Sequence, residues 1–251
     1  MGSPAGSIPS GMPARLAVGL NEDTGRTWMK SSGARWDVRY RYLTKGWVNN
    51  WGWGPADGQF ALDFMRECQT QGYLPAFSLY QFHSEPGGGE SAFLAKTQNA
   101  TTMRAYFADV KLLMQKAKQY DAPVLLLVEP DGTGLLEAQS QHNPNVYAAV
   151  AASGLPELQG LPNTIGGWGR AFLALRDAVG ASNVILGLHV SGWATGHELF
   201  SFSVTQPLQP HVDQAYNFLV PFGLAQYDVL VADPLDRDAD YYRLVRGENR
   251  W

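Results

Sequence analysis

The chain has 251 residues, 45% of them hydrophobic and 17% charged, the balance of a globular protein with one sizeable core. Its formal charge of −4 gives no reason to expect nucleic acid or a polybasic membrane contact. No apolar run approaches the roughly 18 residues of a membrane span, and a single cysteine, Cys68, excludes an intrachain disulfide.

Residues 1–14 are small, polar and proline-rich and read as a flexible lead-in; residues 15–251 read as one domain. Strand and helix patterns then alternate. Arg15–Leu20 is a first short strand that ends in Asn21, Glu22 and Asp23. Trp36–Leu43 alternates, with Val38, Tyr40 and Tyr42 on one side and Asp37, Arg39 and Arg41 on the other, the latter read as a polar interior layer of paired charges. Gly58–Gly72 is an amphipathic helix closed by glycine. Tyr73–Phe82 is a third strand. Thr101–Tyr120 is a helix with Met103, Phe107, Val110, Leu113 and Met114 on one face.

The fourth strand is "VLLLVEPDGTG", Val124 to Gly134. Its aliphatic run between Pro123 and Pro130 is too short for a helix and suits a strand covered on both faces. Gly169–Gly180 is helical, Asn183–Ser191 is a fifth strand, the segment from His211 begins as helix, and Tyr227–Pro234 is a sixth strand.

Repeated βα units predict a parallel sheet. Polar strand tips followed by long loops favour a TIM-type (β/α) barrel, incomplete at its C-terminus, with about six recognisable units. Ligands of such sheets bind at the carboxyl ends of the strands. Alternation aims Glu129 and Asp131 the same way as Leu125 and Leu127, with their Cα atoms about 6–7 Å apart. The competing structural reading makes Asp131 a helix cap and pairs Glu129 with a buried arginine. In the fifth strand Gly187, His189 and Ser191 share the inner face; in the sixth, Asp233 reaches the tip. The third ends in Tyr80, Gln81, His83 and Glu85. Asn21, His83, Glu129, Asp131, His189 and Asp233 are thereby expected around one cavity.

The loop "GWVNNWGWGP" carries Trp47, Trp51 and Trp53, and Trp193 follows the fifth strand. Its glycines and Pro55 argue against helix or strand. Such rings form either a local core or a platform on which sugar faces stack. Carboxylates beside a sugar platform suggest glycoside hydrolysis. That reaction needs one carboxylic acid to protonate the leaving oxygen and a second as base or nucleophile. Mutual repulsion between Glu129 and Asp131 would hold one of them protonated. Asp233, across the mouth, is a further candidate partner.

The pattern resembles the TIM-barrel glycoside hydrolases. "LVEPDGTGLL" is similar to a strand tip of the family 6 cellulases whose Asp is the general acid, and "LGLHVSGWATG" is similar to a later segment of that family. The resemblance implies Asp131 as the acid, with His189 and Trp193 at the substrate. It also implies secretion, a β-linked polysaccharide substrate of the cellulose, β-glucan or mannan type, and no cofactor or metal. On the residues alone, Glu129 and Asp131 both remain candidates for the acid.

Two other functions fit the same residues. His83, Glu129, His189 and Asp233 suit a divalent cation in a metal-dependent barrel enzyme, although no compact ligand motif accompanies them. A non-catalytic sugar-binding barrel would keep the aromatic residues and lose the chemistry. Asp236, Asp238 and Asp240 have calcium-loop spacing, but Tyr241 stands where the loop requires glycine.

Overall fold

The computed structural model describes residues 6–196, 207–232 and 243–248. Six parallel strands form one sheet in sequence order: β1 (Gly19–Asn21), β2 (Val38–Leu43), β3 (Leu74–Leu79), β4 (Val124–Val128), β5 (Val184–Val190) and β6 (Val229–Ala232). The sheet curls into a half-barrel. The α-helices named among the described residues are α1 (Trp28–Ser31), α2 (Gln59–Gln71), α3 (Gln81–Ser84), α4 (Phe93–Gln98), α5 (Ala100–Tyr120), α6 (Gly132–Gln139), α7 (Ile165–Val179) and α8 (Gln209–Leu219).

Register and burial sort the two faces of the sheet. Leu43, Phe77, Leu79, Val124, Leu126, Val128, Val184, Leu186 and Leu188 pack outward into one core with α2, α5 and α7. The core is rich in large rings: Tyr106, Phe107, Trp168 and Phe172 meet edge-on, an arrangement that aromatic quadrupoles favour. On the inner face Tyr40, Ala76, Leu125 and Ile185 align across β2 to β5, and Tyr42, Ser78, Leu127 and Gly187 align one step nearer the tips.

Most expected elements are present with shifted ends. The helix expected at Gly58–Gly72 is α2, with left-handed Gly58 and Gly72 as its two caps. The helix expected at Thr101–Tyr120 is α5, started one residue earlier by Asn99, whose side chain accepts from the Thr102 amide. Three expectations need correction. The first strand begins at Gly19 rather than Arg15, because Arg15 instead grips the Asp37 carboxylate through its guanidinium. The third strand ends at Leu79, and Gln81 and Phe82 open the short helix α3. Residues Trp47–Gly52 form a kinked 3-10 turn rather than an open loop.

The charges on β2 are paired, as expected, but they face the helices and not the inside of the curl. Arg39 is fully buried, lies over the Phe64 ring and donates to Glu67 and Gln71 of α2. Arg41 pairs with Asp23. Cys68 is buried in the core, and burial pushes its thiol up to about 12. Among the described residues no helix is long and apolar enough to cross a membrane.

Candidate functional site at the strand tips

The tip of β4 carries a distinct backbone signal. Glu129 and Asp131, on either side of Pro130, both have left-handed dihedrals, with φ of +37° and +65°. Such values are costly for residues with a Cβ, and the residue before proline is normally extended. Backbone strain of this kind concentrates at functional sites.

The strain also separates the two acids. Strand alternation stops at Val128, so their side chains part. Glu129 turns into the protein and is fully buried. Its Oε1 accepts from the backbone amides of Gln81 and Phe82 at 3.1 and 3.3 Å. The Tyr106 hydroxyl sits beside the same carboxyl, and Lys96 of α4 is nearby. Burial dominates these interactions and raises the carboxyl from 4.5 to about 8. Glu129 is therefore a protonated acid at neutral pH that ties the tip of β4 to that of β3. No arginine pairs with it among the described residues.

Asp131 remains half-buried at the mouth. It occupies the cap position of α6, but its side chain accepts no hydrogen bond from the helix. Its neighbour is Tyr80. Burial first, and then the Asp131 and Glu90 charges, hold the Tyr80 phenol well above its usual range. The Tyr80 hydroxyl donates to Glu90 at 3.3 Å. His83 stacks on the Tyr80 ring at 4.8 Å and lies 3.6 Å from the same Glu90 oxygen. Tyr42 meets Tyr80 edge-on. The tips of β2, β3 and β4 thus present an aromatic group with the carboxylates of Asp131 and Glu90 beside one ring.

The remaining candidates divide. Gln81 is fully buried. It accepts from Trp47 Nε1 at 3.2 Å and donates to Asp109 at 2.7 Å, which makes it a structural link rather than a rim group. Trp47 is fully buried too and belongs to the core. Trp51 and Trp53 are exposed, but with the outward-facing Arg41 they line a cleft on the other side of β2. Asn21 is exposed at the end of β1, in an open groove with Trp28. His189 is buried, its Nδ1 3.2 Å from Ser191 Oγ, while its carbonyl accepts from Thr133. Trp193 is half-buried and close-packed over Gly134 of α6. Asp233 lies outside the described residues, as do Asp236, Asp238, Asp240 and Tyr241. Among the described residues no three His, Cys, Asp or Glu side chains come together as a metal site.

Glu90, Lys96 and Tyr106 were not singled out by sequence reasoning. Glu90 left one trace: Gly87, Gly88 and Gly89 all adopt positive φ, and this turn carries the chain back over Tyr80. Tyr106 reads only as a residue of the Thr101–Tyr120 helix, and Lys96 falls in a stretch with no predicted element. No protein-family model matches the chain, and no curated protein is similar to it.

Proposed function

We propose that the protein is a glycoside hydrolase that cleaves a β-linked polysaccharide of the cellulose, β-glucan or mannan type. The carrying observation is Asp131: a half-buried carboxyl on a strained strand tip, without a capping role, beside Tyr80, whose hydroxyl also donates to Glu90. Glycoside hydrolysis requires two carboxyl groups flanking one bond, and carboxyl ends of parallel strands in barrel-like folds are where chemistry gathers.

In this reading Asp131 is the general acid. Glu129 is the poorer choice, because its proton is enclosed by backbone amides and the core. Glu129 fixes instead the relation between the tips of β3 and β4. Glu90 stands as the second carboxylate in reach of Tyr80, and Asp233 is the alternative from β6. Tyr42, Tyr80 and His83 offer flat faces for a sugar ring, and Trp193 adds one at the tip of β5.

The test is reducing-sugar release from a panel of β-glucans and mannans, with and without chelator, by the wild type and by Asp131→Asn. Release that survives chelation and disappears in Asp131→Asn supports the proposal. Equal release by both proteins, or none on any substrate, overturns it.

A further inference from the structure

The loop between β2 and α2 builds a second feature that the strand-tip chemistry does not use. A cleft of about 610 Å³ is lined by Asp23, Arg41, Trp51, Trp53, Asp57 and Asp63, with the Phe60 ring among its walls. Arg41 and Tyr42 are consecutive on β2 and point to opposite faces. The cleft therefore opens on the helix side of the sheet, whereas Tyr42 and Tyr80 face the mouth.

Its two indole rings are held differently. Trp51 has a φ of +51°, a strained value for a bulky residue, and Asn50 before it shares that value. The Trp51 ring meets Phe60 edge-on at 5.0 Å, and its Nε1 donates to Thr44 at 2.9 Å. Trp53 has no such support and is 88% exposed. A fixed ring beside an uncovered one is a preorganised aromatic surface. Carboxylates outnumber cations around it: Asp23, Asp57 and Asp63 stand against Arg41 and against Lys116, which reaches Gln59 at 3.5 Å. Arg41 is neutralised by Asp23, while Asp57 and Asp63 are exposed and, among the described residues, their side chains accept hydrogen bonds only from Gln59. Each of these two carboxylates keeps an oxygen for a ligand.

Aromatic faces flanked by carboxylates suit a cation with an apolar ring face. We infer that this cleft is a secondary binding site for a protonated amino-sugar unit of a polysaccharide, stacked on Trp53 and Trp51 and paired with Asp57 and Asp63. The inference rests on the carbohydrate reading for its choice of ligand, so binding is read apart from turnover.

The experiment is a titration of intrinsic tryptophan fluorescence with glucosamine oligomers at acidic pH, in parallel with N-acetylated and cello-oligomers of the same length. Expected are saturable binding of the glucosamine oligomer and weakening by salt. A loss of about tenfold is expected in Trp53→Ala and in the Asp57→Asn/Asp63→Asn double variant, the effect of one cation–π contact or ion pair. Equal affinity for the neutral oligomers overturns the charge recognition. Unchanged glucosamine affinity in Trp53→Ala overturns the site. Absence of glucosamine binding overturns the inference while leaving reducing-sugar release, the measure of the hydrolase reading, untouched.

Discussion

The tip of β4 and the loop after β2 are both strained and both rich in functional residue types, yet they spend that strain differently. At β4, left-handed Glu129 and Asp131 send one carboxyl into the core and leave the other at the mouth. In the β2–α2 loop, left-handed Asn50 and Trp51 fix one ring against Phe60 and leave the next indole in solvent. Each region pairs a buried anchor with an open group. The first places an acid where a bond could break; the second places flat surface where a chain could rest. Neighbouring residues of similar type therefore do different work, decided by which one the core claims.

The sharpest way to break this contrast is Asp131→Asn, which keeps the shape and removes the acid. Turnover should fall about 10²- to 10⁴-fold, the usual worth of a general acid, while the far-UV circular dichroism spectrum stays the same. Full activity would mean that the open group of the β4 tip is not the one that matters.

Glu129→Gln tests the anchor. With its carboxyl raised from 4.5 to about 8, the native protein keeps a proton that the unfolded chain releases. This contribution is fully present below about pH 4.5 and is lost as pH rises to about 8. Stability of the wild type should drop across that window by an amount on the order of a few kcal/mol, and the glutamine variant should lack the drop. Urea midpoints measured at several pH values check it, and identical slopes in the two proteins would refute it.

Smaller effects sharpen the comparison. Gln81→Ala leaves Trp47 Nε1 without its acceptor and Asp109 without its donor, and should cost about 1–3 kcal/mol by denaturant unfolding. Tyr80→Phe removes only the bond to Glu90. As Tyr80 positions that carboxylate, the variant should shift the pH profile of turnover while changing kcat a fewfold. A profile identical to the wild type would reduce Tyr80 to a stacking surface.

Much of the scaffold was legible from periodicity and punctuation. The apolar run Val124–Val128 between prolines, the apolar run of β5, the glycines bounding α2 and the Gly180 that closes α7 each have one good structural solution, whereas α7 begins four residues before the expected Gly169. The fates of individual site residues were not. The direction of Glu129 depends on a positive φ that residue identity does not announce. Trp47 and Trp53 share one loop and one chemistry, but Trp47 meets Gly58 and Gln81 and is buried, while Trp53 meets nothing comparable. The inward or outward sense of β2 also escaped, because Arg39 is accommodated among helix side chains that are far away in sequence.

Gln81 has a consequence beyond its own bonds. Its amide group holds the indole of the β2 loop and the Asp109 carboxylate of α5, while its backbone nitrogen holds Glu129. One residue is thereby a joint shared by the loop that carries the cleft and the strand tip that carries the acid. The contacts form a short connected path from the loop of Trp51 and Trp53 through Trp47 and Gln81 to Glu129. A polymer resting in the outer cleft would pull on the same frame that sets the mouth, as tension on one guy-rope reaches the mast.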